Sequence, residues 1–152
     1  MKAKLLTTLA FALLFAFAAD RAVAQDYPQA GHIALFVKDM KVSADFYKNV
    51  MQLPVIDEPF HDGKHTWFRT GPHTQLHIIQ GAAQIYDHDI NTHIAYTVKD
   101  IAAFSKHLDE MHWKYGNWKG DSKSPQLRPD GVKQIYLQDP DGFWIEVNDD
   151  KF

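Results

Sequence analysis

His32-Ile33-Ala34-Leu35-Phe36-Val37-Lys38-Asp39-Met40 reads HIALFVKDM, and His93-Ile94-Ala95-Tyr96-Thr97-Val98-Lys99-Asp100-Ile101 reads HIAYTVKDI. Six of the nine positions are identical at an offset of 61 residues. A match of that length and spacing marks a duplicated unit. Each copy is a short apolar run rich in β-branched residues, which predicts a strand whose successive side chains point to opposite faces. Ile33, Leu35 and Val37 then share one face, and His32, Ala34 and Phe36 the other. Ile94, Tyr96 and Val98 oppose His93, Ala95 and Thr97 in the same way.

Asp39 and Asp100 stand where a helix N-cap belongs, because a carboxylate there accepts the otherwise unpartnered first amide hydrogens. Val42, Phe46, Val50 and Leu53 mark one face of the helix that follows in the first unit, and Ile101, Phe104, Leu108 and Met111 do so in the second. Three more strands are expected in each unit. They lie near Val55–Glu58, Thr66–Thr70 and Gln75–Gln80 in the first, and near Trp113–Trp118, Lys133–Gln138 and Phe143–Asn148 in the second. Asp139-Pro140-Asp141-Gly142 reads as the turn joining the last pair, and a longer polar loop spans 119–131. The fold class is therefore α+β, built from two tandem β-α-β-β-β modules, about 31–82 and 92–150. The bulky strand faces pack on the helices, and the histidine-bearing faces line a concavity.

The first residues read as a leader. Lys2 and Lys4 precede an apolar run from Leu5 to Ala19, and Ala22-Val23-Ala24 supplies the small residues of a signal-peptidase site. The run is shorter than the ~20 residues a membrane-spanning helix needs. Cleavage after Ala24 predicts a periplasmic or secreted protein that no longer touches the membrane. Residues 25–30 would be a flexible lead-in and 31–152 the folded domain. The mature chain would carry 13 basic and 18 acidic residues, a net charge of −5. With no basic run, it makes a poor nucleic-acid binder. Cysteine is absent, so disulfides, thiolate metal sites and cysteine nucleophiles are excluded.

Each module offers one metal-ligand candidate on its first strand and one on its last: His32 and His77 in the first, His93 and Glu146 in the second. Three imidazoles and one carboxylate suit a single borderline divalent ion such as zinc, nickel, cobalt or iron(II). Glu146, between Ile145 and Val147, is an odd place for an unpaired charge. Phe36, Thr97, Trp67, Arg69, Tyr136 and Trp144 fall on the same faces by alternation. Of these, Arg69, Trp67, Tyr136 and Trp144 are the candidates for contact with a small-molecule substrate. His61, His65, His73, His107 and His112 read as turn or helix-surface residues, and His88 as part of the linker between modules.

HIALFVKDM, the helix motif Ser43-x-x-Phe46-Tyr47, HIAYTVKDI and DPDGFWIEV over Asp139–Val147 together resemble the vicinal oxygen chelate superfamily. That superfamily includes glyoxalase I, extradiol dioxygenases, fosfomycin-resistance thiol transferases and bleomycin-binding proteins. The resemblance implies an eight-stranded cup holding one metal ion on the first and last strands of each module, at His32, His77, His93 and Glu146. The four-ligand pattern is most similar to glyoxalase I, although a carboxylate is usual where this chain has His77. It implies a lyase or isomerase that acts on a substrate with vicinal oxygens through a metal-stabilised enediolate, with Glu146 as the catalytic carboxylate. The other readings are a non-catalytic small-molecule or antibiotic-binding protein and an extradiol-type dioxygenase. The cup is closed either by the two modules of one chain or by modules of two chains, and a homodimer is the expectation.

Overall fold

The computed structural model of the chain describes residues 28–151; the expected leader lies outside the described residues. The first module runs β1 (His32–Val37), α1 (Met40–Asp45), a π-helical turn (Phe46–Val50), β2 (Val55–Ile56), β3 (His65–Arg69) and β4 (Gln75–Gln80). The second runs β5 (His93–Thr97), α2 (Ile101–Glu110), β6 (Tyr115–Gly116), β7 (Gln126–Leu127), β8 (Lys133–Gln138) and β9 (Trp144–Asn148). The tandem architecture is the expected one. The second module adds the short strand β7, which pairs with β8 inside the segment expected to be loop.

Both caps form. The Asp39 carboxylate accepts from the Val42 amide, and that of Asp100 accepts from the amides of Ala102 and Ala103. The buried face of the first helix differs from the expected stripe. Val42 is half exposed, whereas Ser43, Phe46, Tyr47 and Val50 are buried. The reason is polar: Ser43 and Tyr47 are drawn inward by partners in the second module. The π-helical turn, closed by the Met51 amide donating to the Phe46 carbonyl at 3.1 Å, puts Phe46, Tyr47 and Val50 inside together. Met111 lies beyond the end of α2 and is partly exposed.

The first sheet has the order β1-β4-β3-β2, with β1 parallel to β4. The second has the order β5-β9-β8-β6, with β5 parallel to β9. In each sheet the last strand of the module lies beside its first. Phe68, Leu76, Ile78, Ile135, Leu137, Ile145 and Val147 fill the space under the helices and are almost wholly buried. Removing such side chains from water supplies about 1.5–3 kcal/mol each.

The modules are clasped by the turn that begins β9. Asp141 accepts the Lys38 amide and the Ser43 hydroxyl, both at 2.7 Å. Asp139 accepts the Tyr47 hydroxyl at 2.8 Å and, on its other oxygen, the amides of Asp141 and Phe143. His107 on α2 lies 3.1 Å from the Asn49 and Val50 carbonyls at the end of the π-helical turn. Gly142 has φ +85°, and a Cβ there would approach the Tyr86 carbonyl to 3.0 Å, so the inter-module linker packs directly on this turn.

Candidate metal and substrate site

Register places the four predicted ligands at equivalent positions of the two sheets. His77 lies between Ala34 of β1 and Trp67 of β3; Glu146 lies between Ala95 of β5 and Tyr136 of β8. His32 and His93 each stand two residues before those alanines, on the same face. The alanines leave open space beside each ligand candidate, because only a methyl group projects there.

In the first module the rings form a column. His77 stacks on Trp67 at 3.8 Å between centroids and on His32 at 4.2 Å. Its Nε2 is 2.8 Å from the side-chain oxygen of Gln75. Burial, helped by the neighbouring His32 and His65, lowers the pKa of His77, so the ring is neutral and retains a lone pair. Arg69 is exposed and pairs across the strands with Gln75, the residue that also faces His32 in register. Phe36 and Thr97 are exposed on the histidine-bearing faces. His65, expected to be a bland turn residue, bonds Asp62 at 2.9 Å.

In the second module the groups interlock. His93 Nδ1 lies 2.7 Å from the Ile90 carbonyl, an acceptor only, so Nδ1 carries the proton. In the neutral ring Nε2 is then bare, and it stands 3.4 Å from Glu146 Oε2. The same Oε2 accepts the Tyr136 hydroxyl at 2.7 Å, while Oε1 accepts the Asn148 side-chain amide at 2.7 Å. Burial, with the Glu146 charge beside it, pushes the Tyr136 phenol well above its ordinary value, so the phenol remains a donor. Arg128 brings Nη1 to 3.8 Å from Glu146 Oε1 and is held by Asp130 and Asp150. A lone pair aimed at a carboxylate oxygen is unfavourable unless a cation, either a proton or a metal ion, lies between them. The half-site in the second module therefore suits a cation by its own geometry.

The two half-sites do not meet within one chain. Among the described residues, no three His, Asp or Glu side chains converge on a common point. The cause is the way the modules are clasped. Asp141 grips the amide just after β1, and three residues later Trp144 pairs with His93. This links the start of β5 to the end of β1 through the turn before β9, whereas His32 stands at the other end of β1, about 17 Å from Val37 at the usual rise per residue. A cleft of about 460 Å³ is lined by His32 and Ile33 of β1 and by Ile94, Ala95, Tyr96 and Thr97 of β5.

Three neighbours of the ligand candidates were not singled out by the sequence. Gln75 and Asn148 sit two residues from His77 and Glu146, and strand alternation alone places them on the same face. Arg128 lies in the long loop of the second module, and nothing in its local sequence points toward Glu146.

The family model of the Glyoxalase/Bleomycin resistance protein/Dioxygenase superfamily matches residues 29–147. The chain is 30% identical over 121 residues to the uncharacterized protein YwbC of Bacillus subtilis (strain 168), covering 76% of this chain and 92% of that one. It is 25% identical over 148 residues to a lactoylglutathione lyase of Pseudomonas putida, covering 76% and 82%. A glyoxalase/dioxygenase of Nostoc punctiforme shares the fold with a TM-score of 0.68 at 22% identity, over 86% of this chain and 96% of that one.

Proposed function

We propose, from the premise that this chain belongs to the Glyoxalase/Bleomycin resistance protein/Dioxygenase superfamily, that it is an exported, metal-dependent lyase or isomerase of glyoxalase type. Its substrate is a small molecule with vicinal oxygens, and each active centre is completed by two copies of the chain. One divalent ion, drawn from zinc, nickel, cobalt or iron(II), would be held by His32 and His77 of one copy and His93 and Glu146 of the other. The observation that carries the reading is the second half-site, where His93 Nε2 faces Glu146 Oε2 at 3.4 Å. Two copies are invoked because no three of these donors converge within one chain among the described residues, and a donor set needs all its members at one point.

When bound, the ion supplies Lewis-acid stabilisation of negative charge developing on the substrate oxygens. The chain's own residues do the rest. The Ile90 carbonyl fixes the His93 tautomer, a role that partners of metal-binding histidines commonly play. Tyr136 and Asn148 each occupy one oxygen of Glu146 and so fix the plane of the carboxylate. Glu146 takes the proton from the carbon beside the carbonyl and returns it to the neighbouring carbon, so the reaction consumes no net proton. Trp67, Arg69 and Trp144 flank the approach.

Purified protein should contain one divalent ion per chain and sediment as a dimer. It should turn over a hemithioacetal of methylglyoxal, with activity abolished by chelation and restored by metal. Protein that holds no ion after refilling, or holds it as a monomer, would overturn the two-copy centre. Stoichiometric metal without turnover would favour a binding protein. Amino-terminal sequencing of secreted protein, expected to begin at Gln25, checks export.

A further inference from the structure

Beside the half-site of the second module lies a cavity of about 470 Å³ that shares Tyr136 and Trp144 with it. Its size falls in the usual range for small-molecule pockets, roughly 300–1,000 Å³. Five aromatic residues line it: Trp113, Tyr115, Trp118, Tyr136 and Trp144. Tyr136 is shared with the metal half-site, since its hydroxyl donates to Glu146 and its ring meets His93 edge-on. Lys114 and Lys119 also line it, and none of its lining residues is acidic, although the chain as a whole is net negative. Among the described residues, neither lysine has a carboxylate within ion-pair distance.

Hydrogen bonds hold the Trp144 indole and the loop that carries Trp118. The Trp144 indole donates to the His88 carbonyl at 2.8 Å. Trp118 rides on a loop closed by the Asn117 amide to the Ser122 carbonyl at 2.7 Å and by the Asn117 side chain to Asp121. Trp118 is 40% exposed, so its indole is open to a ligand. Rigid aromatic walls lose little freedom when a flat ring enters, and two unpaired ammonium groups at the edge select a negative charge.

We propose that this cavity is the substrate-specificity pocket and that it accepts a planar aromatic acid: a fused or substituted aryl group between Trp118 and Trp144, with its carboxylate at Lys114 and Lys119. This deepens the glyoxalase-type reading and rests on it for the word substrate: the aryl end would anchor the molecule, and the oxygen-bearing end would pass Tyr136 to reach Glu146.

Calorimetric titration with 2-naphthoate tests the pocket directly. Saturable binding at one per chain is expected. About tenfold weaker binding is expected for the uncharged 2-naphthalenemethanol and for the non-planar cyclohexanecarboxylate. Trp118→Ala should weaken 2-naphthoate at least tenfold. The double variant Lys114→Met with Lys119→Met should abolish the preference for the acid over the alcohol. Both change exposed residues, so circular dichroism should be unaltered. Non-saturable heat, equal affinity for acid and alcohol, or a Trp118→Ala titration matching wild type would overturn the proposal. Glu146→Gln separates the two readings: it should lose metal and turnover yet still bind 2-naphthoate. If wild-type protein bound 2-naphthoate but held no metal, the pocket would stand and the glyoxalase-type reading would fall. Metal and turnover without any naphthoate binding would overturn the pocket and leave the glyoxalase-type reading standing.

Discussion

His93 Nε2 faces Glu146 Oε2 at 3.4 Å, across the first and last strands of one sheet. The pair is held from behind on both sides, by the Ile90 carbonyl on the imidazole and by Tyr136 and Asn148 on the carboxylate. Neither residue can relax away from the other without breaking a hydrogen bond.

Tyr136→Phe should expose how much that support contributes. It removes one hydroxyl from a well-packed site and leaves the ring. Metal affinity should fall about 10–100-fold, the usual loss when a group supporting a metal ligand is removed. Thermal stability without metal should change little. Competition with a chromophoric chelator measures the affinity, and an unchanged value would mean that the phenol does not orient Glu146.

Complementation should reveal the two-copy centre. The pair His32→Gln with His77→Gln disables one half-site, and His93→Gln with Glu146→Gln disables the other. Each double variant alone should hold no ion. After unfolding and refolding as an equal mixture, about a quarter of the wild-type metal content should return, because half the dimers are mixed and each has one intact centre. No recovery would place the site within a single chain.

Asp141→Ala should destabilise the fold far more than a turn substitution normally does. It would strip the Lys38 amide and the buried Ser43 hydroxyl of their acceptor. An unsatisfied buried donor costs about 1–3 kcal/mol, so about 2–5 kcal/mol is expected from urea unfolding. A loss under about 1 kcal/mol would show that the clasp does not hold the modules together.

Asp139 predicts a pH signature. Burial pushes its carboxyl up to about 6; hydrogen bonds from Tyr47 and from the Phe143 and Asp141 amides pull the other way, and the Asp141 charge adds to the rise. The folded chain therefore binds this proton more tightly than the unfolded chain, whose value is 3.8. The group's contribution to stability is full below about pH 4 and is lost as pH rises through 6, by up to about 3 kcal/mol. Asp139→Asn cannot titrate. The stability of wild type relative to Asp139→Asn should thus fall between pH 4 and pH 7, and a flat difference would contradict the raised value.

The sequence alone carried the doubled architecture, because it resides in local signals: two nearly identical strands, two aspartate caps, and alternation in β4, β8 and β9. It also carried the equivalence of His32 with His93 and of His77 with Glu146, since strand period and module repeat fix which face each occupies. Partners two residues away, Gln75 and Asn148, were within reach of the same rule. Arg128 was not, because its approach to Glu146 depends on the path of a loop through β7.

The tertiary structure decided how the modules sit against each other. Asp139 and Asp141 read as ordinary turn residues, yet their carboxylates accept the hydroxyls of Tyr47 and Ser43. Those contacts, more than 90 residues apart in the chain, rotate the helix face inward and leave Val42 in solvent. The Asp141 contact with the Lys38 amide also ties the end of β1 to the turn that leads to Trp144, the register partner of His93. Periodicity reports which side of a strand a residue takes. The distance between two sheets is set by side-chain contacts that no local pattern encodes, so only the folded chain shows that its four ligand candidates form two pairs.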